Sequence, residues 1–562
     1  MQRATRHSAV HVVATLAILA AAVLQSRDLC AEAASAAPDK SVTFKSNARL
    51  VLIDVVVSDD AGQPVHGLRA QDFTVTEDGK SQRITGFQEQ QSDAKATSAP
   101  SALNLPKNVY TNFVSRSDTG ALTVLLFDSL NTDRQHLTYA KREMLKFLKS
   151  LPPGKRVALF TLGNQLRMMQ SFTENTDGLI AASQELSSAP HSTYSNAKEM
   201  SAALGELSES GIMHSPAAYR AVANFMADEY QGHLETRAQD TLDALTQLAR
   251  ALAVVPGRKN LIWISAGFPF DISGNSHQMQ KVAALLAATQ IAVYPVDVRG
   301  VMTMSADGST RGSELGGPVH ADSYETLSGQ DQENVSLQET MVNMAKLTGG
   351  RAYFNRNDLH TSIASGMETG SNYYTLAYRP ENADWNGKFR KVTVKTTRPK
   401  LKLLCRSGYY ARLDPLGSTD DPNRAVSLAM QPTAPLSTQL IMKSRVVPPD
   451  EADKPVVVDI LVDAHDLSFN QTADAQKTPE VQFVAIAWDA KGQQCASFSE
   501  GYHATLSPQQ LQALLRTGLQ LHQEIMLKPG AYHLRLGVMD RLSGRIGTLD
   551  VPLTIEAKIA VK

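Results

Sequence analysis

Leu122-Thr123-Val124-Leu125-Leu126-Phe127, Asn260-Leu261-Ile262-Trp263-Ile264-Ser265 and Ile291 to Val296 are short, nearly continuous apolar runs. Such runs suit strands buried on both faces of a parallel sheet, because a strand with one wet face alternates instead. Helical spacing separates them. Residues 133 to 150 carry Leu137, Ala140, Met144, Leu145 and Leu148, and Ala238 to Val255 carries Leu242, Leu245, Leu248, Ala249 and Leu252. Pro152-Pro153-Gly154 stops the first helix and a further strand, Arg156 to Leu162, follows at once. With helices at Leu179 to Leu186, Gln278 to Ala288, Leu337 to Leu347 and Asp358 to Met367, and a short strand at Ala352-Tyr353-Phe354, residues 119–370 read as a doubly wound, Rossmann-like α/β domain. Two regions exceed the minimal pattern: a polar, helical stretch at about 188–234 and a glycine-bearing loop at about 300–335.

On either side the period drops to two. Arg49 to Val57, Phe73 to Thr76 and Ile84 to Phe87 read as strands within an N-terminal β-region, 41–90, and Tyr373 to Tyr378, Arg390 to Thr396 and Leu401 to Leu404 as strands within 372–412. Each flank holds too few strands to close a core alone, so we read the two as one sandwich into which the α/β domain is inserted. Residues 91–118 and the proline-bearing 413–453 read as linkers, and 454–562 as a C-terminal β-sandwich. A basic run from Lys388 to Arg406 alternates with Val392, Val394, Leu401 and Leu403, as the solvated face of a hairpin does.

Arg3, Arg6 and His7 precede a largely apolar run from Ala9 to Leu24, with small-residue cleavage candidates up to Ala36, so residues 1–36 read as a signal peptide. The expected location is secreted or periplasmic, with no stable membrane insertion after its removal. Lys plus Arg number 55 against 56 for Asp plus Glu, a formal charge of −1, which removes the whole-chain argument for a nucleic-acid partner. Three cysteines in 562 residues make a disulfide scaffold or a cysteine zinc module an unsuitable reading.

An open parallel sheet binds ligands outside the carboxyl ends of its strands. Those ends are Asp128 to Asp133, Ser265 to Pro269 and Asp297 to Gly300. The first places a carboxylate before side-chain oxygens, the donor type that Mg²⁺ or Ca²⁺ takes. No Gly-x-Ser-x-Gly, His-Glu-x-x-His or paired Cys-x-x-Cys occurs, so no nucleophile or zinc motif supports an enzyme.

Phe127-Asp128-Ser129-Leu130-Asn131-Thr132, the helix after it, and Pro256-Gly257-Arg258-Lys259-Asn260-Leu261-Ile262-Trp263-Ile264-Ser265 resemble a von Willebrand factor type A domain, in detail the VWFA-related proteins of Acidobacteria. Leu52 to Val57, Asp72-Phe73, Glu77 to Lys80, Arg351 to Phe354 and Gly408-Tyr409-Tyr410 resemble the β-regions that flank it there, so the likeness spans about 41–412. It implies an α/β domain of von Willebrand A type flanked by β-sandwich (Ig-like) regions, and metal-dependent binding of protein ligands. The Asp-x-Ser-x-Ser pattern of the family's metal site is kept only at Asp128 and Thr132. Leu130 stands at the middle serine, Gln239 aligns with the Thr of the second loop, and Ala266 aligns with the Asp of the third. Asp128 and Thr132 are thus either the residue of a degenerate metal-ion-dependent site for Mg²⁺ or Ca²⁺, with Asn131, Asp133, Asp271 or Asp297 as substitutes, or caps of the helix entering at Asp133. The expectation is an exported, non-enzymatic binding or adhesion protein. Its ligand-binding rim is Asp128, Ser129, Asn131, Thr132, Ser265, Asp297 and Arg299, facing a protein or cell-surface ligand. The alternative is a hydrolase using the carboxylates Asp128, Asp271 and Asp297.

Overall fold

The computed structural model describes residues 50–91, 105–112, 122–187, 216–253, 255, 257–267, 276–301, 336–412, 421–449, 454–471, 476–489 and 491–556. The signal-peptide reading of 1–36, most of the 300–335 loop, and Asp271 lie outside them.

The α/β unit runs through β1 (Leu122–Asp128), α1 (Arg134–Lys149), β2 (Val157–Leu162), β3 (Leu166–Thr173), α2 (Thr176–Gln184), α3 (Pro216–Ala251), β4 (Lys259–Ser265), α4 (Ser276–Ala288), β5 (Ile291–Asp297), α5 (336–348) and α6 (Leu359–Thr369). Its sheet order is β5-β4-β1-β2-β3. Strands β1, β2, β4 and β5 are parallel, while β3 runs antiparallel to β2 at the edge. The order reverses between β1 and β4, which makes their carboxyl ends the topological switch point. Side chains of β1 alternate between two cores. Val124 and Leu126 pack with Leu242, Leu245 and Leu286 on one face, and Leu125 and Phe127 pack with Met144, Phe147 and Ile363 on the other. Strand β3 was not expected from the sequence. Its Arg167 and Gln170 belong to an edge strand with one largely open face, which breaks the apolar run that marks its neighbours. At Gly350 a Cβ would stand 1.9 Å from the Val293 carbonyl oxygen, so only glycine lets the chain leaving α5 cross β5 this closely.

The strands before and after this unit share two antiparallel sheets, alternating in the first and lying side by side in pairs in the second. One is ordered Lys402–Leu404, Val51–Ser58, Tyr373–Tyr378, Ile84–Gln90, and the other Gly408–Tyr410, Phe389–Thr396, Phe73–Glu77, Lys80–Gln82. They share one core of Ile53, Val55, Val75, Tyr374, Leu376, Val392 and Tyr409. The basic run is not uniformly solvated, because Arg390 turns inward. Its Nη1 donates to Glu77 Oε1 at 3.2 Å, while the hydroxyls of Tyr378 and Tyr409 donate to Glu77 Oε2 at 2.7 and 2.9 Å. A buried carboxylate serving three donors is expensive to neutralise. Glu77→Gln should therefore cost about 2 kcal/mol in urea denaturation, and an unchanged midpoint would show the cluster to be dispensable.

The C-terminal body has one sheet ordered Leu519–Ile525, Val456–Val462, Met442–Val447, Val109–Thr111, and a second ordered Gln494–His503, Glu480–Asp489, Gly530–Asp540, Ile546–Ile555. Two segments read as linkers are therefore structured. Within 413–453, Met442–Val447 is an interior strand that buries Met442, Ser444 and Val446 while Lys443 and Arg445 face water. Prolines on both sides masked that alternation. The same segment holds a helix, Pro422–Ala429, whose Arg424 pairs with Asp243 at 2.7 Å and Asp240 at 3.3 Å on α3. Within 91–118, Val109–Thr111 pairs with Met442–Val447, and Asn112 Nδ2 donates to the Ser437 and Leu440 carbonyls at 3.2 and 2.9 Å. The chain thus ties the C-terminal sandwich to the α/β unit from both of its ends. Among the described residues no helix is long and apolar enough to cross a membrane, and Cys405 and Cys495 are free thiols.

Candidate functional site at the strand ends

Strand β1 ends on Asp128, whose side chain is completely buried. The chain then turns so tightly that Asp128 Oδ1 accepts from the backbone N–H groups of Leu130 (3.1 Å) and Asn131 (3.0 Å). Its other oxygen, Oδ2, accepts from Asn131 Nδ2 (3.0 Å), Trp263 Nε1 (3.0 Å) and Ser265 Oγ (2.7 Å). Burial pushes this carboxyl above its ordinary range, and the hydrogen bonds from Asn131, Ser265 and Trp263 pull it back.

The neighbours are similarly committed. Ser129 Oγ donates to the Leu162 carbonyl at 2.8 Å, and Thr132 Oγ1 accepts from the Ala266 N–H at 3.1 Å. Ser265 Oγ accepts from the Gly267 N–H at 3.0 Å. Asp297 and Arg299 form a second, self-contained pair. Arg299 Nε and Nη2 donate at 2.9 and 2.7 Å, the Arg299 backbone N–H adds a bond of 3.0 Å, and Gln338 Nε2 approaches to 3.5 Å. The structure thus brings Asp128, Asn131, Thr132 and Ser265 together and binds Asp297 to Arg299. Of the seven rim residues, six are buried and Arg299 is nearly so. The helix cap is a different residue: Asp133 accepts from the His136 N–H at 3.0 Å, so Asp128 and Thr132 do not cap α1.

Two contributors escaped the sequence reading. Trp263 counted there only as a strand residue. Thr241 on α3 accepts from Asn131 Nδ2 at 2.9 Å and donates to the Arg237 carbonyl at 2.8 Å. Gln239, which the alignment set against the threonine of the second loop, bonds Asp243 along the helix at 3.0 Å. Only the helix's approach to β1 shows which residue reaches the strand end.

A cation does not suit these residues. A carboxylate has about four lone-pair positions, and five donors already converge on Asp128. Leu130 offers no oxygen and packs into the core with Leu162 and Leu245, and Ala266 offers none either. Hard cations need six or more oxygens. Elsewhere, among the described residues, Glu143, Asp358 and His360 bring possible ligand atoms together. There Lys146 lies 2.7 Å and Arg142 3.5 Å from Glu143, and His360 Nδ1 lies 3.1 and 3.0 Å from Glu143 and Asp358, so Glu143 is already held by cationic side chains.

No family model and no curated protein matches the sequence. Among solved structures the chain is similar to an aerotolerance-related membrane protein from Bacteroides fragilis, at 15% identity over 44% of this chain and 98% of that one, with a TM-score of 0.26. It is similar to BatB from Bacteroides thetaiotaomicron at 13% identity over 44% and 97%, TM-score 0.25. A von Willebrand factor type A protein from Catenulispora acidiphila matches at 10% identity over 62% and 79%, TM-score 0.21. Likenesses this slight establish no family and no function.

Proposed function

We propose that the chain is an exported, non-enzymatic protein-binding protein whose α/β unit is of von Willebrand A type, held between two β-sandwiches, one of them Ig-like in its flanking role. The observation that supports this most is the sheet itself. Its parallel core, antiparallel edge and order β5-β4-β1-β2-β3 set Asp128, Thr132 and Thr241 at the switch point, where such a domain meets ligands. Apart from the buried Asn131 Oδ1, the described side-chain polar groups at that point are spent on internal bonds, so the face acts by shape and backbone groups rather than by a free nucleophile or a bound Mg²⁺ or Ca²⁺.

The hydrolase reading has less support. Asp128 is consumed by five donors and Asp297 by Arg299, and a general acid or base needs an uncommitted carboxyl within reach of substrate.

The test is capture of a protein partner by the immobilised chain, lacking residues 1–36, from the medium and periplasm of the producing cell. Capture of the same protein in EDTA and in millimolar Mg²⁺ is expected. Cation-dependent capture, or turnover of ester or phosphate substrates that Asp297→Asn abolishes, would replace the proposal.

A further inference from the structure

Resting on the von Willebrand A reading above, we propose that the side-chain amide of Asn131 is a built-in occupant of the strand-end position that a divalent cation takes in that type of domain. The geometry is specific. Asn131 Nδ2 donates to Asp128 Oδ2 at 3.0 Å and to Thr241 Oγ1 at 2.9 Å, so one nitrogen joins the end of β1 to helix α3.

The orientation of the amide follows from its partners. Asp128 Oδ2 already accepts from the Trp263 indole N–H, which can only donate, and the Thr241 hydroxyl hydrogen is committed to the Arg237 carbonyl at 2.8 Å. Both oxygens therefore face the amide as acceptors, and only its NH₂ end can satisfy them. The price appears on the other side, where Asn131 Oδ1 is buried without a hydrogen-bond partner among the described residues. An unsatisfied buried carbonyl is unfavourable, so the two bonds made by Nδ2 must outweigh it.

The remaining positions complete the exchange. Leu130 has turned into the core, and the Ala266 N–H is held by Thr132 Oγ1. An amide carries two N–H donors with partial positive charge and no net charge to be lost to chelation or competition. A face built on it keeps one state whatever the cation supply.

The test uses the chain without residues 1–36 and Mn²⁺ alone as the probe, read by thermal unfolding and by Mn²⁺ electron paramagnetic resonance. The wild-type protein should melt at the same temperature in EDTA and in millimolar Mn²⁺ and leave the Mn²⁺ spectrum unchanged. Asn131→Asp keeps the shape but sets a second carboxylate against Asp128. It should melt about 5 °C or more lower in EDTA, and Mn²⁺ should restore part of that loss while becoming bound. If the aspartate variant does not fold in EDTA, refolding it in Mn²⁺ gives the same reading, and Asn131→Ser, which takes the amide away from Asp128 Oδ2 and Thr241 Oγ1, provides a milder version. Mn²⁺ uptake by the wild type overturns the proposal, as does an aspartate variant that melts like the wild type in EDTA. So does a destabilised variant that Mn²⁺ neither binds nor rescues. Partner capture is read separately, so failure of that experiment and failure of this one are distinguishable.

Discussion

Asp128→Ala lowers the stability of the α/β unit by about 3–5 kcal/mol, the range expected when several buried donors, at about 1–3 kcal/mol each, lose one acceptor together. Five donors lose their acceptor together: the N–H groups of Leu130 and Asn131, the Asn131 amide, the Trp263 indole and the Ser265 hydroxyl. All sit where water does not reach, and although the Leu130 N–H keeps the Leu162 carbonyl at 3.0 Å and the Asn131 amide keeps Thr241 Oγ1 at 2.9 Å, the lost bonds are not handed to solvent. Asp128→Asn separates charge from shape. Its amide can turn only one oxygen toward the cluster, so an NH₂ group must face other donors, and a loss of about 2–3 kcal/mol remains. Urea denaturation of a chain with Trp385 and Trp488 replaced by Phe reads this unit through Trp263 fluorescence, because Trp263 is fully buried and bonded to the altered residue. Losses under about 1 kcal/mol for both variants would mean that Asp128 is a solvated rim residue after all, and the closed network would be wrong.

This network marks where the sequence stops being legible. The strands Leu122–Asp128, Lys259–Ser265 and Ile291–Asp297 stand out because every residue in them is buried, and burial on both faces writes a continuous apolar run. Once they are parallel, Asp128, Ser265 and Asp297 must fall at the same end of the sheet. Whether that end is open does not follow. Trp263 and Thr241 meet Asp128 and Asn131 from 135 and 110 positions away in the chain, and no local pattern encodes such an approach. The strands Leu166–Thr173 and Met442–Val447 were hidden for a simpler reason. Each shows water a row of polar side chains, Arg167 and Gln170 in one, Lys443 and Arg445 in the other, and over so few residues that row resembles a loop. The two inward-turned members of the basic run, Arg390 and Arg406, differ from their neighbours only in what the fold places beside them: Glu77 and Tyr409 for the first, the Leu52 carbonyl for the second.

Lys259 makes the protein more stable as the pH rises from 7 toward 10. It opens β4 at the opposite end from Asp128, is almost wholly buried, and donates through Nζ to the Val255 carbonyl at 2.7 Å. Burial brings its ammonium down to about 7, against partial compensation from Asp54 across the seam with the first sandwich. In the unfolded chain the same group titrates near 10.5. Between these values the unfolded state binds more protons than the folded state, so stability increases with pH through the window and the full penalty is present at and below about pH 7. The difference amounts to about 3–5 kcal/mol across the whole range. Cys405 works the other way above pH 9, since burial raises its thiol to about 11 and the unfolded chain loses that proton first. The clean interval is therefore pH 7 to 9. Lys259→Met keeps the stem and removes the charge. It should raise the urea midpoint at pH 7, by about 2 kcal/mol once the lost bond to Val255 is counted, and should flatten the rise between pH 7 and 9. A wild-type midpoint that is already flat over that interval, or a methionine variant that keeps the slope, would show that the amine is solvated or paired and that the seam carries no titrating group.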